Sequence, residues 1–179
     1  MQFIQYIYIC IVLYIILSFY EWFLHKYVMH NTFFYKQNIS KHLDHHLYVN
    51  DDMSIRDHYG MTFEIKNCVV LIILVSVSLY FVLKMCSLYV NYFHLLLLSI
   101  FIMFIYKTLW DYLHYKVHQQ EPHNKIYETL LPNSYIHWAY NNHIMHHKVK
   151  GDKKGNYNII LPLFDHIMGT YNSPDGIKH

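Results

Sequence analysis

Ten of the sixteen histidines in this 179-residue chain fall into four clusters: His25-x4-His30, His42-x2-His45-His46, His114-x3-His118 and His143-x2-His146-His147. Imidazole is the commonest neutral side-chain metal ligand, and ten of them at short spacing are enough to fill two coordination spheres. In each H-x2-H-H cluster the first histidine stands three and four residues from the others, so all three share one face of a helix. The remaining pairs are spaced by five and by four residues, close to one helical turn, and each cluster can project its rings to one side. Four clusters, two of identical form, are a poor match to a surface merely rich in histidine. They point to a two-metal site. The three cysteines, Cys10, Cys68 and Cys86, lie in or beside apolar segments away from the histidines, which argues against a cysteine-type zinc site and against a disulfide framework.

The elements that must position these clusters are set by an unusual composition, 54% hydrophobic and 18% aromatic. The apolar residues are bunched into long stretches, as in a membrane protein, and are not spread at the periods of a soluble core. Spans are expected at about 3–24, 67–83 and 89–109. The last two form one tract that as a single helix would be about twice the hydrocarbon thickness, so it should fold back as a hairpin turning near Lys84 to Asn91. The first stretch has no basic n-region and no small-residue cleavage site before Glu21-Trp22, so a retained span is expected instead of a signal peptide. Thirteen of the fourteen lysines and arginines lie in segments 25–66 and 107–179, which places both in the cytoplasm by the positive-inside rule. Three spans then bring all four clusters to the same side, a result reached without using the histidines. The net charge of +2 says little about partners, and nothing suggests nucleic acid.

The expected fold is therefore all-α: an integral membrane protein of about three transmembrane helices with a cytoplasmic helical cap holding a histidine-rich dimetal site. The chain reads as one domain, 1–179, whose site segments are 25–66 and 110–179. The first span should continue as a helix through His25 to His30, and the third into His114. Ser40 is a candidate N-cap for a short helix carrying His42 to His46, which should end at Asn50-Asp51-Asp52, and Pro132-Asn133-Ser134 should open the helix carrying His143 to His147. Lys148 to Asn158 reads as a loop, and Ile159 to Met168 as an apolar return against the site.

Metal-bound histidines need partners at the second ring nitrogen, and Glu21, Asp44 and Asp111 are candidates because they stand four, one and three residues before His25, His45 and His114. His137 and Asp165 are further candidates for a supporting position. His94 is expected to be an interfacial or packing residue, and His58, His123 and His179 loop residues. A metal transporter or a bis-histidine haem carrier would put ligands inside the spans, where only His94 lies.

The order of the clusters resembles the membrane-bound histidine-cluster enzymes of the fatty acid hydroxylase superfamily, most closely the fatty acid 2-hydroxylase branch. The likeness also includes Tyr20-Glu21-Trp22-Phe23-Leu24-His25, Asp111 with His114-Tyr115, and the tail Asn156-Tyr157 through Phe164-Asp165-His166-Ile167-Met168-Gly169-Thr170-Tyr171. It covers nearly the whole chain. It departs from the family pattern at Asn158, where glycine is usual, and around Asn50 to Arg56, where a proline-containing stretch is missing. The resemblance implies two iron ions held by the ten clustered histidines, with zinc as a possible substitute. It also implies a monooxygenase of lipid metabolism that uses dioxygen and two electrons to hydroxylate a long acyl chain of a fatty acid or sphingolipid at the cytoplasmic face. In a eukaryotic cell the membrane would be that of the endoplasmic reticulum. With no cytochrome-like extension on the chain, electrons would come from a separate cytochrome b5-type or ferredoxin-type protein. Carotenoid and sterol hydroxylases or desaturases of the same superfamily are alternatives, since His25-Lys26-Tyr27-Val28-Met29-His30 also looks like the first motif of carotenoid ring hydroxylases. A catalytically silent zinc-binding membrane protein is the alternative of another class.

Overall fold

The computed structural model describes residues 2–36, 41–55, 65–88, 91–120, 126–149 and 151–173. Helices α1 (Gln2–Leu24), α2 (Thr32–Lys36), α3 (His42–Tyr48), α4 (Ile65–Met85), α5 (Tyr92–Val117), α6 (Ile126–Leu130), α7 (Asn133–Lys148) and α8 (Leu163–Ile167) follow one another, with a π-helical turn at His25–Met29 and a 3-10 turn at Gly151–Lys153. Among the described residues the only β pairing is an isolated bridge between Val49 and Ile55. The molecule is all-helical, as the composition implies.

Three helical segments, Ile7–Met29, Cys68–Met85 and Tyr92–Val117, are long and apolar enough to cross a membrane. The 26 residues of α5 make a helix of about 39 Å at 1.5 Å per residue, longer than a hydrocarbon layer of about 30 Å. Helix α4 packs against both α1 and α5. Its inner stripe, Leu71, Val75, Leu79 and Leu83, recurs every fourth residue and is buried among residues such as Val12, Leu13, Leu95 and Met103. Its outer face, Val69, Ile73, Val77 and Phe81, is equally apolar yet exposed, the pattern of a helix whose solvent is lipid.

The hairpin turn falls where expected, in the segment after Met85, with Ser87 in the left-handed region and the Asn91 side chain capping α5 by accepting the Phe93 amide. Pro132 precedes α7 and Asp51-Asp52 form the turn after α3, also as expected. The Ser40 cap, His58, His123 and His179 lie outside the described residues. His94 is exposed at the start of α5, remote along the helix from the histidine end.

The helix after the first span departs from the simple α-helix expected. The His30 amide bonds to the His25 carbonyl, five residues back, closing the wider ring of a π turn. Five residues in an α-helix would leave two side chains about 140° apart, whereas a turn of i→i+5 bonds brings them nearly into register. The spacing His25-x4-His30 is thus matched by a local winding that stacks the two rings 5.1 Å apart.

Candidate metal centre

The π turn, α3, the end of α5 and α7 converge at one end of the three long helices, and each carries its cluster inward. Ligand-capable nitrogens gather in two groups, His25, His30, His42, His46 and His146 in one, and His45, His114, His118 and His143 in the other, each within 4.8 Å of one another. His147 stands between the groups, stacked on His46 at 4.1 Å with its Nε2 3.1 Å from that of His143. All ten clustered histidines are therefore brought together.

The spacing of their nitrogens suits an ion. Nε2 atoms of the first group follow one another from His25 to His42 at 2.8 Å, then to His46, His146 and His30 at 3.0 Å each. Two nitrogens bound about 2.1 Å from one ion at right angles lie about 3.0 Å apart. In the second group His143 Nε2 is 3.1 Å from His118 Nε2, and the His45 ring lies 4.6 and 4.5 Å from those of His114 and His118. Neither ring nitrogen of His45 has a hydrogen-bond partner among the described residues although the side chain is fully buried. A buried polar atom in that condition is costly unless a ligand satisfies it.

Backbone carbonyls hold the outer nitrogens. His25 Nδ1 donates to the Tyr157 carbonyl at 2.5 Å, His146 Nδ1 to Gly155 at 2.8 Å and His118 Nδ1 to Met53 at 2.7 Å. A carbonyl can only accept, so these three rings carry their proton on Nδ1 and present a bare Nε2 lone pair to the centre, the form that binds metal. His30 is the exception. Its Nδ1 lies 3.0 Å from Lys154 Nζ, and an ammonium can only donate, which leaves the His30 proton on Nε2.

Burial keeps these rings neutral. It is the main cause that pushes His30 down to about 2 and His118 to about 4, and that holds His42, His45, His46, His143, His146 and His147 well below the ordinary histidine value, with neighbouring imidazoles adding to it in all but His118. Neutral imidazole is the ligating state. His30, His46 and His147 are only half-buried and form the open side of the centre.

No known family model, characterised protein or solved structure matches this chain.

Two of the acidic residues, Glu21 and Asp44, stand elsewhere than proposed from spacing. Glu21 does not orient His25: its carboxylate accepts Asn158 Nδ2 at 2.9 Å and the Ile159 amide at 3.0 Å, because the tail of the chain lies against that face of α1. Asp44, half-buried on α3, does not serve His45, whose nitrogens have no such partner. Asp111 pairs with Lys107, one turn back along α5, while the His114 ring lies against Trp110 at 4.4 Å. His137 is exposed and bonded to Asn141 on the outer side of α7, not at the centre.

Asp165 does support the site, through the backbone. It accepts the amides of Tyr157 and Asn158 at 3.0 and 2.7 Å and the Thr170 hydroxyl at 2.7 Å, fixing a buried strap over residues 155–160. On one side of the strap the carbonyls of Gly155 and Tyr157 hold His146 and His25. On the other, Asn156 Nδ2 donates to Asn142 Oδ1, and Asn142 Nδ2 donates to the Asn158 carbonyl, both at 2.8 Å. Asn156 adopts the left-handed region, φ 55°, which asparagine tolerates better than most residues. Gly155 is required: a Cβ there would lie 1.9 Å from the Thr170 carbonyl oxygen. Asn142, the strap and the Met53 carbonyl were not foreseen. A carbonyl has no side-chain signature; the available signal was polar asparagines beside a glycine in a tail otherwise packed on the spans.

Proposed function

We propose that this chain is a membrane-bound diiron lipid hydroxylase that uses dioxygen and two electrons from a separate donor protein to hydroxylate a long acyl chain. The observation that carries the reading is the gathering of nine histidines into two abutting groups, with His147 between them, at the end of three apolar helices. The histidine order and the tail motif, which resemble the fatty acid hydroxylase superfamily, support the same reading. So does the excess of lysine and arginine at this end, which favours the cytoplasmic face for the centre.

An unactivated C–H bond yields to neither acid, base nor nucleophile, and two bound iron ions would supply the redox chemistry that attacks it. The sum adds one oxygen atom to the lipid and releases the other as water, taking up two electrons and two protons. His25, His42, His46 and His146 would hold one ion, and His45, His114, His118 and His143 the other, with His147 between them. A small cavity lined by Glu21, Leu24, His25, Met29, Leu71, Tyr106 and Trp110 adjoins the first group.

Lipid mass spectrometry on cells expressing the chain beside its His45→Ala/His146→Ala variant, with a competent electron donor present, tests this. The expected result is a lipid heavier by one oxygen atom only with the intact chain. A loss of two hydrogens would make it a desaturase. No difference between correctly inserted proteins, with zinc bound to the purified intact chain, would overturn the reading in favour of a silent metal-binding relative.

A further inference from the structure

We propose that the short helices α6 and α8 are immersed in the bilayer, as parts of the same lipid-facing surface as the spans. Both are docked within span segments. On α8 the Phe164 ring packs on Phe19 at 5.2 Å and its amide donates to Ser18 Oγ at 3.3 Å, six to seven residues before His25 on α1. On α6 the Tyr127 hydroxyl meets Thr108 Oγ1 at 2.7 Å and its ring packs on Tyr112 at 5.4 Å, along α5.

The outward faces of these helices are largely apolar, with exposed His166 on α8 and Glu128 and Thr129 on α6 as polar exceptions, and they lie beside the apolar strips of α1 and α5. On α8 and its flanks, Leu161, Ile167 (60% exposed) and Met168 extend the exposed Ile11, Ile15 and Phe19 of α1; on α6, Ile126 and Leu130 (65% exposed), one turn apart, extend Phe101, Phe104 and Ile105 of α5. Such contiguous apolar surface on a soluble cap would mark an interaction site, and its continuity with the spans identifies the occupant as lipid acyl chain. The charge on α6 agrees: Glu128 pairs with Lys116, two turns nearer the histidine end than Thr108, so the polar side of α6 is directed out of the membrane.

Around α8 the backbone amides meet the condition that the bilayer imposes. The amides of Met168, Gly169, Thr170 and Tyr171, which follow α8, all bond within the tail. Irregular backbone at membrane depth is tolerated only when it is satisfied in this way. The strap that holds His25 and His146 is thereby anchored at its far end in the lipid, so the bilayer becomes part of what positions the centre.

The unmodified chain in phosphatidylcholine vesicles, irradiated with a phospholipid carrying a photoactivatable group on its acyl chain, tests the proposal. Adducts are expected in 161–168 and 126–130 as well as in α1. As a second measurement, single cysteines at Leu130 and Ile167, in a background with Cys10, Cys68 and Cys86 changed to serine, should react with a water-soluble maleimide roughly tenfold or more slowly than one at exposed Lys153. Adducts in α1 alone, or cysteines at 130 and 167 that react as fast as the one at 153, would overturn the proposal.

Discussion

Helices α3 and α7 carry the same H-x2-H-H sequence and use it in mirror fashion. His42 and His46 of α3 lie in the first group and His45 crosses to the second; on α7 His143 lies in the second and His146 crosses to the first, with His147 between the two groups. Their supports are unequal. Helix α7 runs for 16 residues, packs on α5 and is tied by Asn142 to the strap, whereas α3 has seven residues, turns its buried His42 and His45 into the centre and leaves Leu47 and Tyr48 exposed. A helix so short is marginal without tertiary support. The difference teaches that one motif is built into the helix packing, while the other meets the fold largely through its own histidines.

The crossing histidines give the largest expected effect. His146→Ala and His45→Ala each remove a buried ligand from the group opposite the rest of its helix. Each should cut metal content from two ions to at most one and lower turnover by more than the 10- to 100-fold typical of changes outside the ligand set, roughly a thousandfold. Elemental analysis of the purified variants, read beside activity, checks this. If either variant kept both ions, the mirrored division of the motif would be wrong.

Metal removal should separate the two helices. After chelation the amides of α3 are expected to exchange with deuterium about a hundredfold faster, while those of α7 keep most of their protection, because packing on α5 survives. Equal loss in both helices would show that α7 depends on the ions as much as α3 does. The metal-free protein should also respond to pH. His118 is held at about 4 against about 6.5 for an unfolded histidine, so between these values the unfolded chain binds more protons than the folded one. Stability is therefore greatest above about 6.5 and falls as the pH is lowered towards 4, and thermal unfolding near pH 7.5 and near pH 5 should differ by several degrees in that direction.

What the sequence made legible follows the same division between side chain and backbone. The spans, the hairpin turn, the helix after Pro132 and the grouping of clusters could be read because apolar length and histidine spacing are side-chain properties. The orienting groups could not. Spacing along α1 suggested Glu21 for His25, yet the tail, 137 residues away in sequence, takes Glu21 for itself and offers a carbonyl to the histidine instead. Likewise His25-x4-His30 looked like a slightly overlong α-helical turn, since the side chains alone do not announce π winding.

Gly155→Ala tests the strap beneath α7. Its Cβ must displace the Thr170 carbonyl, shifting the group that holds His146 Nδ1. Metal affinity should fall about 10- to 100-fold, as for lost partners of ligating histidines, while the spans remain inserted. Titration with a competing chelator measures it. An unchanged affinity would mean that the packing of α7 alone orients His146.

The weakest support in the comparison is the loop that follows α3, and it should yield the smallest effect. Asp52 Oδ1 accepts both the amide and the hydroxyl of Ser54, at 3.0 and 2.6 Å, which fixes the turn that aims the Met53 carbonyl at His118. Met53 is itself buried with φ 69°, a strained setting for a methionine that its surroundings must maintain. Asp52 is exposed and Met53 keeps its packing against Val117 and Ile144, so Asp52→Ala should loosen the turn without unseating it. The expected outcome is a loss of only about two- to fivefold in affinity for the second ion, below the range for removing an orienting partner outright. A loss as large as that of Gly155→Ala would mean that the loop after α3 bears as much of the centre as the strap, and that the two H-x2-H-H helices are supported more equally than their packing indicates.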